Sequence, residues 1–352
     1  MHTSLRWSIA CVTVGALGSC KDAAAPENQF ASERVVAAMN LDLAVPTFAA
    51  QDLGFLPGDV ASAGEGINAA GDIVGESISD AQVFRAVLWT SAGATELQNP
   101  NIGPLLIALD VNDHDTAVGY AGVGDVTDGV IWPMAGAPIV IPRPSGSRAF
   151  KLLAINNQEV AVGIDEIYPY PTHAIRYTVS GGVTDIHPPG YLASYANDIS
   201  DGGTIVGTVQ LANLQFHAAR WSAGGIFTDL GTLGGTSSGA SSINTDEIIT
   251  GGSSDATGTF HPFYWSSTNG MVADPLKGVA AAISDRNRVV GAYHAGVGGS
   301  GTRRDSVRTI LQPPPGASGS IVSGVNTCGN ISGYSQVGPY LHATRWTISK
   351  CD

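Results

Sequence analysis

Short apolar runs alternate along most of the chain with clusters of Gly, Asn, Asp and Ser, a pattern of strands separated by tight turns. One arrangement recurs. Ile67-Asn68 leads to Ile73-Val74-Gly75, Val111-Asn112 to Ala117-Val118-Gly119, and Ile155-Asn156 to Ala161-Val162-Gly163. Ile199-Ser200, Ile243-Asn244, Ile283-Ser284 and Val325-Asn326 head four further copies. The Asn or Ser stands at 68, 112, 156, 200, 244, 284 and 326, at intervals of 44, 44, 44, 44, 40 and 42 residues. A period of this length marks a repeat architecture.

Each copy reads as four strands. The first ends at the Asn or Ser, as in 239–244, and the second holds the aliphatic pair and Gly, as in 247–253. A third ends in an aromatic residue: Trp89, Trp132, Tyr177, Trp221, Trp265 and Trp346. Unit six lacks that aromatic and offers Val307–Ile310 in its place. A fourth carries an acid beside an aliphatic residue, as in Glu96-Leu97, Asp185-Ile186 and Asp229-Leu230. Four strands in 40–44 residues is the size of a propeller blade, so the expected fold is an all-β, seven-bladed β-propeller over residues 47–352. The series opens with a fourth strand, Phe48-Ala49-Ala50-Gln51-Asp52-Leu53-Gly54, and closes with a third, His342-Ala343-Thr344-Arg345-Trp346. The N-terminal strand is therefore expected to complete the last blade and remove a free sheet edge.

The first 46 residues follow another pattern. Arg6 precedes an apolar stretch, Trp7 to Leu17, too short to span a bilayer, which reads as a signal peptide over 1–19. Leu17-Gly18-Ser19-Cys20 resembles a bacterial lipobox, which implies lipidation at Cys20 and a membrane partner through that lipid. Lys21 follows rather than Asp, which in a Gram-negative envelope favours the outer membrane. Residues 20–46 read as a tether, with a short helix expected near Ser32–Met39. A formal net charge of −13 makes nucleic acid an unfavourable partner. With Cys11 in the signal and Cys20 lipidated, Cys328 and Cys351 remain. One lies in the first turn of unit seven and the other just past its third strand, on the same side of an up-and-down blade, so a disulfide is expected.

The copies resemble the HAF repeat family of extracellular bacterial proteins. The best match is His217-Ala218-Ala219-Arg220-Trp221 followed by Asp229-Leu230-Gly231-Thr232-Leu233-Gly234-Gly235. His173-Ala174, His261-Pro262-Phe263-Tyr264-Trp265 and His342-Ala343 match in part, whereas Arg85-Ala86-Val87-Leu88-Trp89 departs at the His. Units two and six are the most degenerate. The resemblance implies export and a repeat architecture, and carries no activity with it.

The repeated polar residues read as architecture. His173, His217, His261 and His342 fall in different blades, too far apart for one zinc ion, and are expected to bond to strand-four acids such as Asp229. Asn68, Asn112, Asn156, Asn244 and Asn326 read as turn formers, and no metal or cofactor is expected. Any site is expected in the segments that break the period, 121–128, 164–172 and 292–305, read as loops between second and third strands. Their candidate ligand-binding residues are Asp165, Glu166, Tyr168, Tyr170, His294, Arg303 and Arg304. The expected function is a monomeric, non-enzymatic binding or scaffold propeller outside the cytoplasm, for a glycan or an envelope protein. The alternatives are a polysaccharide hydrolase or lyase acting through loop residues at the propeller mouth, and a purely structural module.

Overall fold

The computed structural model describes residues 47–351 apart from 168–170, 296 and 305–306, and does not describe the side chains of 293–308. The expected helix at 32–39 and Cys20 lie outside the described residues. Twenty-eight strands and no helix account for the regular structure of the described part. The strands pair as successive antiparallel groups of four, each beginning at the strand that ends just before a repeat Asn or Ser. Single parallel bridges from one unit to the next, Phe84 to Leu105, Thr127 to Ala149 and Phe216 to Ser237, join some groups into longer sheets. The last group has three strands of its own, and Phe48–Gly54 pairs antiparallel with Tyr340–Ile348 to supply the fourth.

The repeating glycine of each second strand has a steric cause. Every first strand slips register just before its Asn or Ser, between Gly64 and Ile67, Ala108 and Asp110, and the five matching places. This bulge pushes a first-strand carbonyl over the glycine opposite. A Cβ on Gly75, Gly119 or Gly163 would lie 2.0, 2.0 and 1.9 Å from the carbonyl oxygens of Ala63, Ile107 and Lys151. No side chain fits there, so the glycine recurs.

Apolar clusters lie at the seven junctions between units. Val74 and Ala86 of unit one pack with Leu106, Val118's neighbour Ala117, and Trp132 of unit two. At the remaining junction Ala343 and Leu53 of the last sheet meet Ile73, Val87 and Trp89 of the first unit. The Ala after the repeat His or Arg is fully buried at 86, 174, 218 and 343, because the next unit's first strand lies on it. The third-strand Trp spans the same gap: the indole N–H groups of Trp132, Trp221 and Trp346 donate to the carbonyls of Gln98, Ile186 and Gln312 in the preceding unit.

The described residues of three segments expected as loops are mostly strand. Ala121–Asp128 is divided between strands Ala117–Val123 and Val126–Trp132. Asp165 and Glu166 lie within strand Val160–Ile167, His294 within Val289–Ala295, and Arg303 and Arg304 within Val297–Arg304. Val307–Ile310 is the fourth strand of unit six, and Val297–Arg304 the third. The glycine-rich composition of 298–301 hid that strand, since backbone pairing does not require the β-branched residues that signal it.

Candidate functional site

The seven Asn/Ser turns line one polar cavity of about 160 Å³. That is room for roughly five waters, and below the ~300 Å³ of sites that enclose a whole ligand. Each Asn side chain is buried and acts in two directions. Its oxygen accepts a backbone N–H four residues on, from Asp72, Thr116, Val160, Ile248 or Asn330, at 2.9–3.0 Å. Its amide reaches the next unit: Asn112 to the carbonyl of Asn156 at 3.1 Å, Asn156 to that of Ser200 at 3.0 Å, and Asn244 to that of Ser284 at 3.2 Å. Asn326 of the last unit donates to the carbonyl of Asn68 in the first at 2.9 Å. Ser200 and Ser284 keep the local bond, accepting from Thr204 and Arg288.

Three residues after the Asn or Ser the backbone is left-handed in all seven units. Gly71, Gly203 and Gly329 adopt this freely, but Asp115, Glu159, Glu247 and Asn287 adopt it at some cost. Those four each accept a hydrogen bond from the preceding unit, from Asn68, Asn112, Ser200 and Asn244 respectively. The cross-unit bond offsets the backbone strain. At the cavity rim Asp113, Asp201 and Asp285 have both oxygens engaged, by Ala69 and Asn157, by Asn157 alone, and by Thr245 and Thr327.

The repeat His residues bond to carboxylates of their own sheets. His173 Nδ1 lies 2.7 Å from Asp185, His217 Nδ1 2.9 Å from Asp229, and His342 Nδ1 2.7 Å from Asp52 on the N-terminal strand. His261 departs, turning Nε2 to Asp255 at 3.2 Å. Units whose sequence is degenerate here keep an ion pair. Arg85 replaces the His in unit one and meets Asp59 and Glu96. In unit two the polarity is reversed, with Asp128 at the His position 2.8 Å from Arg143. Among the described residues no three His, Cys, Asp or Glu converge as metal ligands. A Ser–His contact, His187 Nδ1 to Ser194 Oγ at 2.8 Å, has an architectural counterpart. Ser194 is fully buried and accepts the Ala174 N–H, as Ser62 and Ser238 accept those of Ala343 and Ala218. Burial, then the stacked His173, holds the His187 imidazole below its ordinary range.

Of the candidate ligand-binding residues, Glu166 is tied by Lys151 and Arg148, each at 2.9 Å. Salt links hold its carboxyl below the ordinary range against burial, the larger influence. Asp165 is buried beside it, with Oδ1 lacking a hydrogen-bond donor, and burial raises its pKa. Tyr168 and Tyr170 lie outside the described residues, as do the side chains of His294, Arg303 and Arg304. Cys328 and Cys351 are disulfide-bonded, with Cα atoms 4.7 Å apart.

The sequence reading missed a set of acids on the first strands and beside them. Burial pushes Asp110 up to about 7 and Asp198 up to about 6, against the N–H bonds each accepts from the next unit, Ile155 and Ile243. Burial also pushes Glu65 up to about 7, opposed by the Ser323 hydroxyl. Glu76, 1% exposed, is raised well above the carboxylate range by burial and then by Glu65. The signal available in the sequence was that unit one alone has acids at both of its positions in the repeat.

No family model matches the chain, and no curated protein matches it. Solved structures do. The β-propeller domain of the Trilobed protease from Pyrococcus furiosus is similar at a TM-score of 0.54 and 9% identity, over 83% of this chain and 98% of that domain. Puromycin hydrolase gives 0.54 at 11% identity, over 83% of this chain and 53% of its own. The extracellular domain of the one component system BT4673 from B. thetaiotaomicron gives 0.53 at 8%, over 85% and 39%. The chain spans about half the length of puromycin hydrolase. At these identities the likeness is one of fold: the chain is all-β and propeller-like.

Proposed function

We propose that the seven units form a closed seven-bladed β-propeller clasped by Phe48–Gly54, and that it serves as a rigid binding scaffold. In this reading the chain is exported, held to the cell envelope by lipid on Cys20, and binds a glycan or another envelope protein. The observation that carries the scaffold reading is the series of side-chain bonds between successive turns, five of them from asparagine amides and the other two from Ser200 and Thr327, in which unit seven returns to unit one through Asn326 and Asn68. The recurring His, Asn, Ser and Trp side chains are spent on contacts within and between units, which stiffens a platform for surfaces that differ between units. The Cys328–Cys351 bond suits an oxidising compartment.

A glycan array and an envelope pull-down with the purified protein test the binding role, and incorporation of labelled palmitate that stops with Cys20→Ser tests the anchor. Absence of any glycan or protein ligand would leave the purely structural module. One observation favours the hydrolase or lyase reading: Asp165 is a buried carboxyl with a free oxygen and a raised pKa beside His173. Release of reducing ends or unsaturated sugars from envelope polysaccharide, lost with Asp165→Asn, would establish it.

A further inference from the structure

The connection from strand Gly182–Asp185 of unit three to strand Ala193–Ile199 of unit four departs from its counterparts. Units four and seven carry the left-handed Gly231 and Gly54 after an Asp-Leu pair, but unit three carries His187 after Asp185-Ile186. The His187 ring lies flat on that of His173, with centroids 4.0 Å apart and planes inclined by 2°. Asp185 joins the two residues. One of its oxygens meets His173 Nδ1 at 2.7 Å, and the other accepts the His187 backbone N–H at 2.8 Å. On the far side His187 Nδ1 lies 2.8 Å from the Ser194 hydroxyl, which already accepts the Ala174 N–H. The matching Ser62 and Ser238 hydroxyls donate to the carbonyls of Gly54 and Gly231. In unit three the hydroxyl faces an imidazole instead. A neutral ring with its proton on Nε2 takes that hydroxyl hydrogen on Nδ1, and a protonated ring has no acceptor to offer.

Among the described residues, little negative charge is at hand for a second imidazolium. Asp185 is one carboxylate and balances one cation. Asp165 stands opposite His173 on the second strand, where burial makes it hold its proton more readily than an ordinary carboxyl. Glu166 beside it is tied by Lys151 and Arg148. Asp229 of unit four meets the Tyr191 hydroxyl at 3.3 Å but is shared with His217. Two imidazolium charges 4.0 Å apart, half-buried, repel each other strongly. The segment that the pair holds covers apolar surface. Ile186 and Tyr191 pack on the core cluster between units three and four, and Tyr191 meets Phe227 with centroids 5.1 Å apart. The Ile186 carbonyl accepts the Trp221 indole N–H at 2.9 Å. We propose that stacked His173 and His187 form an acid-released latch, which holds residues 187–192 over the seam between units three and four and frees them when both rings are charged. Burial, then His173, holds the His187 imidazole below its ordinary value of 6.5. The latched ring therefore binds its proton less readily than the freed one, so release is favoured as pH falls from about 6.5.

Hydrogen exchange of the full-length protein, measured by mass spectrometry at pH 7 and pH 5 and expressed as protection factors, tests the latch. Protection at 187–192 should fall at least about tenfold in acid, while 231–236 of unit four, beside the single His217, keeps its value. His187→Phe keeps a ring on His173 without a second charge and should leave 187–192 closed at both pH values. Protection at 187–192 that is the same at pH 7 and pH 5 would overturn the proposal, as would an equal fall in His187→Phe. If that variant does not fold, imidazole NMR of the unaltered protein decides. His187 should be neutral at pH 7 and take up its proton over the range in which 187–192 opens, and a His187 already charged at pH 7 counts against the latch.

Discussion

Replacing Asn156 separates the two jobs of the repeat asparagine. Its oxygen accepts the N–H groups of Gln158 and Val160 at 3.1 and 3.0 Å, and its amide donates to the Ser200 carbonyl at 3.0 Å. Asn156, Val160 and Ser200 are all buried, so water cannot replace these bonds without opening the turn. Asn156→Ala leaves the Val160 N–H unpartnered, at about 1–3 kcal/mol, and removes one of the two donors to the Ser200 carbonyl, which keeps the Gly203 N–H, at about 1 kcal/mol more, for a loss of about 3 kcal/mol. Asn156→Ser copies units four and six, where Ser200 and Ser284 keep the local acceptor. It should lose only the bond to the neighbour, about 1–2 kcal/mol. With roughly 2.1 cal/mol/K of unfolding entropy per residue over about 300 residues, 1 kcal/mol corresponds to about 1.5 °C. Thermal and urea melts of the oxidised protein should therefore place Ala roughly 5 °C and Ser roughly 2 °C below the parent. Equal losses for Ala and Ser, or a loss for Ala within about 0.5 kcal/mol of zero, would refute the division of roles.

Cys328→Ser with Cys351→Ser opens a covalent loop with a sequence separation of 23 and should cost about 3 kcal/mol, read as a lower urea midpoint. A chain lacking Phe48–Gly54 loses the partner of Tyr340–Ile348 and the His342–Asp52 bond, and should aggregate through that bare edge, seen by size-exclusion chromatography. Asp128→Arg and Arg143→Asp should each destabilise, and the double exchange should recover up to about 1 kcal/mol, measured as a double-mutant cycle; strict additivity would deny the pair any role. Asp110, Asp198 and Glu65 have folded pKa values of about 7, 6 and 7, above their unfolded values, so the native chain holds protons that the unfolded chain releases. Their contribution to stability is full below about pH 4 and is lost as pH rises towards 7. Asp110→Asn should flatten the fall in Tm between pH 5 and 7.5; a slope unchanged by that substitution would show that Asp110 does not titrate in this window.

The candidate site was less legible than the fold. The His–Asp bonds could be anticipated at Asp229 because His217 and Asp229 recur at a fixed spacing on paired strands. The reversed Asp128–Arg143 pair was hidden, since the same contact is made with neither family residue present. Segments 121–128, 164–172 and 292–305 read as loops because they broke the motif, yet their described residues mostly continue the strands with other letters. Glu65 and Glu76 drew no notice because an acid in a strand resembles a solvent-facing residue until burial and missing partners are seen.

The sequence alone determined the period, the strand order of every unit but the sixth and the place of the N-terminal strand, all of which follow from apolar alternation and turn residues a few positions apart. Only the tertiary structure decided why the glycine recurs, where each asparagine amide goes and which acids lose water. Those answers depend on atoms from the opposing strand or from the next unit, some 44 residues away, and the local pattern of a chain carries no record of which groups meet across such a distance.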